Sequence, residues 1–335
     1  MLILPDNYSS PLDLRTTQAA IKFVKDTFQL NLAATLNLQR VSAPLFVRPE
    51  TGLNDNLNGI ERPVSFDAPS VGGKDLEIVQ SLAKWKRMTL GRYKFSVGEG
   101  LYTDMNAIRR DEESLDNIHS MYVDQWDWEM VISKQQRNEE TLIDVVKKIY
   151  HSIRVTALAV NSKYPGINCV LPDDIAFISS QELLDLYPDL SAKEREYRIT
   201  KEKKAVFIMK IGKVLSNGEK HDGRAPDYDD WELNGDIMVY YPLLDIALEL
   251  SSMGVRVDED VLRKQCEASG TIDRLDLDFH KSILNKRLPY SIGGGIGQSR
   301  LCMLMLNKAH IGEVQSSVWN DNMIQQCLDN NIELI

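Results

Sequence analysis

Strand-forming runs in this chain follow one another without a helix inserted between each pair. They lie at 101–109 (LYTDMNAIR), 120–132 (SMYVDQWDWEMVI), 205–212 (AVFIMKIG), 236–244 (DIMVYYPLL) and 247–252 (ALELSS). A parallel, doubly wound sheet needs a crossover of a dozen or more residues, usually helical, between neighbours. An antiparallel or mixed sheet does not, so the expected class is α+β, a mostly antiparallel sheet flanked by helices. The helices show in period. Ile21, Val24, Phe28 and Leu32 mark one over 16–36, and Leu142, Val145, Ile149 and Ile153 mark another over 138–160. Ser179 with Glu182 and Ser191 with Glu194 have the spacing of capping boxes. A last helix is expected over 298–307, directly after the run SIGGGIG.

No repeat, low-complexity tract or Pro/Gly/Ser linker divides the 335 residues. They read as one domain, 1–335, with residues 1–14 a short N-terminal extension. No apolar run reaches the roughly 18 residues of a membrane span. The first residues lack the basic region and cleavage site of a signal peptide, which implies a cytoplasmic protein. Cys169, Cys266, Cys302 and Cys327 lie far apart, without metal-ligand spacing, and read as reduced thiols. Net charge is −10, and the densest basic clusters are KWKR (84–87) and KEKK (201–204). A protein that grips a nucleic-acid backbone shows a larger basic footprint. The balance therefore favours small-molecule substrates and counts against a nucleic acid.

Three segments carry candidate chemistry. The first is a long-looped hairpin with Arg109 and Arg110 at its mouth. On its second strand Gln125, Asp127 and Glu129 share one face, and Tyr122, Asp124, Trp126 and Trp128 take the other. A polar ligand would explain that row, and so would a solvated edge. The second is the glycine run 293–297, whose backbone could approach a ligand closely. It precedes Arg300 on an apolar helix, where an arginine needs an anionic partner such as phosphate. A structural turn would read the same way. The third is a pair of carboxylates, Asp236 opening one strand and Glu249 interrupting an apolar one, as salt-bridge partners or Mg²⁺ ligands.

Together these segments resemble the motifs of class II aminoacyl-tRNA synthetases. The chain is most similar to the ammonia-dependent asparagine synthetases, relatives of the aspartyl- and asparaginyl-tRNA synthetases. The resemblance runs from about residue 15 to the end. DNLNG (55–59), SLAKWKR (81–87), GEGLYTDMNAIR (98–109), HSMYVDQWDWE (119–129), RAPDYDDW (224–231), ELSSMG (249–254) and IGGGIGQSR (292–300) carry it. It implies ATP-dependent amidation of L-aspartate by ammonia through a β-aspartyl adenylate, with AMP and pyrophosphate as products. It implies that Asp55, Ser81, Lys86, Gln125, Asp127 and Arg300 hold aspartate, Lys86 and Arg300 at its carboxylates and Asp55 or Asp229 at its ammonium. It places Arg109 at the α-phosphate and Asp236, Glu249, Ser251, Ser252 and Gly295 on the ATP side. Asp236 and Glu249 would hold Mg²⁺, and Asp229 would assist ammonia. Residues 41–47 (VSAPLFV), a helix end running into a strand, resemble the motif that builds the homodimer interface.

Two departures from the family pattern stand out. Position 80 is Gln rather than His, and the segment after Trp231 is short, so a different loop near Asp229 is expected. A synthetase-like paralogue acting on tRNA, or a non-catalytic regulator, is the alternative. The regulator would lack Arg109, Arg300 or Glu249, and all three are present.

Overall fold

The computed structural model describes residues 2–55, 57, 61–112 and 114–335. Residues 56, 58 and 59 of the DNLNG run, and Glu113 beyond Arg109, lie outside the described residues. The chain begins with α1 (Leu14–Leu36) and β1 (Leu38–Arg40), then forms β2 (Phe46–Val47), β3 (Ser65–Asp67) and β4 (Asp75–Ile78). Next come α2 (Ala83–Tyr93), β5 (Gly100–Ile108), β6 (Tyr122–Val131), α3 (Glu139–Lys163), β7 (Ala176–Ser179), α4 (Ser180–Leu186) and α5 (Ala192–Lys203). The remainder is β8 (Ala205–Met209), β9 (Asp229–Tyr241), β10 (Ile246–Arg256), α6 (Glu259–Ala268), α7 (Asp278–Leu284), β11 (Ser291–Gly297), α8 (Gln298–Met305) and α9 (Asp321–Asp329).

Eight strands form the main sheet in the order β1-β5-β6-β11-β10-β9-β8-β7, and β2-β4-β3 form a small second sheet. In the main sheet β1/β5 and β7/β8 run parallel and the other five pairings are antiparallel. This is the expected α+β arrangement. One face of the sheet is packed by α1, α3 and α8. Trp126 and Trp128 of β6, Val24, Phe28 and Leu32 of α1, Ile149 and Ile153 of α3 and Leu301 of α8 are all buried in one cluster. The Phe28 and Trp126 rings lie 4.7 Å apart. The other face carries polar groups and is fenced by α2.

Local sequence explains the helix starts. Asp13 caps α1, accepting from the Thr16 amide at 2.9 Å. Both capping boxes form, at α4 and α5. The N-terminal extension packs against the body: Tyr8 Oη donates to Glu313 at 2.8 Å and the Ile3 amide to Asn117 at 2.7 Å.

The structure also corrects several expectations. The glycine run is strand β11, at the centre of the sheet, and α8 follows it. The helix over 298–305 is not the last, since α9 comes after. The segment 41–47 is not a helix end: α1 stops at Leu36, and only 46–47 are strand. The short segment after Trp231 lies within one continuous strand, residues 229–241. The KWKR cluster is no basic surface either, since Lys84, Lys86 and Arg87 are buried. All four cysteines are free and buried. No described helix is long and apolar enough to cross a membrane.

Candidate active site

Strand β11 makes the site possible because four of its seven residues are glycine. It pairs with β6 on one side and β10 on the other. A Cβ on Gly293 would lie 2.0 Å from Glu129 Oε2, and one on Gly295 would lie 2.4 Å from Gln125 Oε1. The glycines therefore make room for polar side chains that cross over the strand.

Those side chains form a buried floor. Arg256 at the end of β10 donates to Glu129 at 2.9 Å (Nε) and 2.7 Å (Nη2), and its Nη1 bonds Asp229 at the start of β9. Ser291 Oγ donates to Glu129 at 2.7 Å. Burial would raise the Glu129 carboxyl, but the Arg256 charge and hydrogen bonds bring it below the ordinary range. From α2, Lys86 meets Asp127 at 2.9 Å and donates to the Gly294 carbonyl at 2.8 Å. Burial lowers the Lys86 ammonium despite Asp127 beside it.

Above this floor lies a cavity of about 540 Å³. Asp55, Ser81, Lys86, Arg109, Gln125, Asp127, Asp229, Glu249, Ser251, Ser252, Gly295 and Arg300 all line it. Asp236 sits behind its wall, bonded to Arg224, which does line it. So residues spread over most of the chain converge on one chamber, and the row on β6 is no solvated edge.

Asp55 is 1% exposed, and neither of its carboxylate oxygens has a hydrogen-bond partner among the described residues. Burial pushes its carboxyl up to about 6, against the pull of Lys84, Arg109 and Arg274. Asp229, by contrast, is already held by Arg256. Burial nonetheless leaves its carboxyl above the ordinary range.

Arg109 follows β5, its amide donating to the Met121 carbonyl at 2.7 Å. Burial lowers its guanidinium, against the pull of Asp55, Tyr228 and Glu61. Arg300, in the first turn of α8, donates to the Glu249 carbonyl at 3.1 Å and lies 3.8 Å from the Glu249 carboxylate.

A β-bulge between Glu249 and Ser251 shapes the β10 wall. Core residues run Leu248, Leu250, then Met253 and Val255, so the alternation slips by one at the bulge. Ser252 pairs across to Asp236 on β9, while the Ser251 hydroxyl is buried without a partner among the described residues. Burial, with the Glu249 charge, pushes the Asp236 carboxyl up to about 7 against the pull of Arg224, and its Oδ1 has no partner among the described residues.

Sequence reading assigned nothing to Arg224, Arg256, Tyr228 or Gln80. Tyr228 lines the cavity under the Arg256 guanidinium, 5.7 Å from its ring centre. Arg256 had a legible signal, an arginine ending an otherwise apolar strand, which must find a carboxylate if buried.

The profile of one family, aspartate–ammonia ligase, matches residues 15–331. The chain belongs to the aspartate–ammonia ligase family. It is 62% identical over 334 residues to the aspartate–ammonia ligase of Ruminiclostridium cellulolyticum, covering 100% of this chain and 99% of that one. It is 61% identical to the Clostridium tetani ligase, with 100% and 98% covered, and 57% identical to the Lactobacillus johnsonii ligase, with 100% and 99% covered. Among solved structures it resembles the aspartyl-tRNA synthetase of Entamoeba histolytica (TM-score 0.61, 16% identity). That match covers 89% of this chain but spans only 58% of the synthetase. It also resembles the asparaginyl-tRNA synthetase of Pyrococcus horikoshii complexed with asparaginyl-adenylate (TM-score 0.60, 16% identity), with 90% and 68% covered. These two likenesses establish the fold. For a member of the ligase family, the chamber has two differently equipped sides. Lys86, Asp127, Gln125 and Asp55 stand on the α2/β6 side, and Glu249, Ser252 and Arg300 on the β10/α8 side.

Proposed function

We propose that this chain amidates L-aspartate with ammonia, converting ATP to AMP and pyrophosphate. The observation that carries the reading is the convergence of Arg109 and Arg300 on a chamber that also holds Asp55, whose carboxylate has no hydrogen-bond partner among the described residues. Matches to ligases along the full chain support it. A carboxylate cannot exchange oxygen for nitrogen unaided, because oxide is a poor leaving group. In the first step a β-carboxylate oxygen of aspartate attacks the α-phosphorus and pyrophosphate leaves. In the second, ammonia attacks the β-carbonyl of the adenylate, AMP leaves, and a proton is lost.

Arg109 neutralises charge growing at the α-phosphate, and Lys86 and Arg300 receive the aspartate carboxylates. Asp55 takes the aspartate ammonium, since Asp229 is committed to Arg256. Ser81 and Gln125 supply polar contacts, and Asp127 orients Lys86. Asp229, Tyr228 and Arg256 frame the side from which ammonia can approach. On the ATP side stand Ser251, Ser252 and the Gly295 backbone.

Asp236 and Glu249 suit a Mg²⁺ ion, which takes one or two carboxylates plus phosphate oxygens, and Asp236 Oδ1 lacks any partner among the described residues. Bound there, the ion would offset phosphate charge. The four thiols argue for free ammonia rather than glutamine as donor. Burial pushes Cys169 and Cys302 up to about 12 and Cys327 to about 11, and raises Cys266, which disfavours a thiolate nucleophile at each. We further take residues 1–335 as one catalytic unit, working as a homodimer in the cytoplasm without nucleic acid.

The test is AMP release from ATP and aspartate, with ammonium, glutamine and tRNA supplied separately. Ammonium alone should support turnover. ADP as the stoichiometric product would overturn the mechanism, and turnover that requires tRNA would favour the synthetase-like alternative.

A further inference from the structure

We propose that Gln80 is a positioning residue for aspartate, holding the main chain that carries Asp55. The inference rests on the reading of Asp55 as the ammonium ligand. Gln80 follows β4, immediately before Ser81, and is 1% exposed. Its Nε2 donates to the Asp55 carbonyl at 2.9 Å, and its amide donates to Asn54 Oδ1 at 2.8 Å. Asn54 Nδ2 in turn donates to Glu77 Oε2 at 3.0 Å and to the Ile78 carbonyl at 3.2 Å. From α2, Lys84 Nζ donates to the Asn54 carbonyl at 3.0 Å while bonding Asp227 at 2.8 Å. Residues 54 and 55 are thus tied from β4 and from α2.

This matters because the Asp55 carboxylate itself has no hydrogen-bond partner among the described residues. No hydrogen bond from a described residue fixes its tip, so its aim is inherited from its backbone. The side-chain bond from Gln80 is the tie that lands on Asp55 itself, and the same backbone segment places Ser81 in the chamber. A side chain preset in its bound position spares substrate the cost of ordering it, which appears as affinity for that substrate.

Gln80→Met keeps the length of the side chain and removes the donor. Gln80→Glu keeps its shape and, as the carboxylate at high pH, also lacks the donor, and Gln80→His restores an N–H. Asp55→Asn is the reference. For each, KM for aspartate, KM for ATP, kcat and melting temperature are measured on the full chain. Loss of one buried hydrogen bond predicts a roughly 5- to 10-fold rise in KM for aspartate in the Met and Glu variants. KM for ATP and kcat at saturating aspartate should stay within about twofold, and the His variant should recover part of the loss. If Asp55→Asn leaves KM for aspartate unchanged, the reading of Asp55 fails and the inference with it. If Asp55→Asn raises it while the donor-less variants do not, the Gln80 inference alone falls. It also falls if both donor-less variants fail to fold, or depress kcat and both KM values alike, because the role is then structural.

Discussion

Glu129 and Arg256 meet across the glycine strand, the guanidinium giving Nε at 2.9 Å and Nη2 at 2.7 Å to a fully buried carboxylate. Arg256 also serves Asp229, so one cation balances two carboxylates beneath the chamber. Breaking a buried pair from one side leaves the other charge unsolvated, which costs more than the pair contributes. Arg256→Met should therefore lower stability by about 3–5 kcal/mol. Denaturant unfolding of the pure protein checks this, and a loss below about 1 kcal/mol would mean water or another cation reaches Glu129.

The two arginines at the hairpin mouth should behave oppositely. Arg109 lines the chamber, whereas Arg110 is 44% exposed and stands 3.8 Å from Asp111. Removing a group that neutralises charge in the transition state costs roughly 100-fold or more in rate. Arg109→Ala should show that loss at saturating ATP, and Arg110→Ala should show little. Arg109→Lys should rescue incompletely, because an ammonium lacks the planar fork that phosphate accepts. Equal turnover of the two alanine variants would place the active site elsewhere.

Aspartate affinity should depend on pH through Asp55. Burial raises this carboxyl to about 6, above the ordinary carboxylate range, so its charge is present above that value and lost below it. An ammonium group needs the charged form. KM for aspartate should be flat at high pH and climb about tenfold per unit below about 6. The Asp55→Asn variant should start from a higher KM and lose this dependence. A wild-type profile that stays flat down to pH of about 5 would contradict the assignment.

Gly295→Ala tests the crossing side chains. Its Cβ would fall 2.4 Å from Gln125 Oε1 and 3.0 Å from Asp127 Oδ1, so Gln125 must move out of the chamber. We expect activity to drop by roughly 100-fold, the scale set by a 1 Å misplacement. The fold should survive, because the flexible end of Gln125 can give way. Near-normal turnover would mean Gln125 does not touch substrate.

The strands of the α+β fold were legible where β-branched and aromatic residues alternate, as in β6, and the capping boxes at Ser179 and Ser191 marked helix starts correctly. Strand β11 was not legible. Glycine carries neither β-propensity nor a face to alternate, so the run read as a ligand-approaching backbone or a turn. The bulge at Glu249–Ser251 was hidden too, since one extra residue leaves no local signature, and with it the choice between the two serines. Site residues came from the family resemblance, and the structure gathers all but Asp236 around one chamber. What sequence could not show is who already holds whom. Arg256 and Glu129 are 127 positions apart, and nothing in either neighbourhood names the other.

The placement of β11 also has a consequence for how the molecule is made. This strand comes late in the chain yet sits between β6 and β10. Until it emerges from the ribosome, both neighbours present open hydrogen-bonding edges, and their polar side chains have no ribbon to cross over. Non-local pairing of this kind is slow to form and exposed to misassociation while it waits. The nascent protein is thus most vulnerable just before β11 arrives, and catalytic competence and sheet closure become one event.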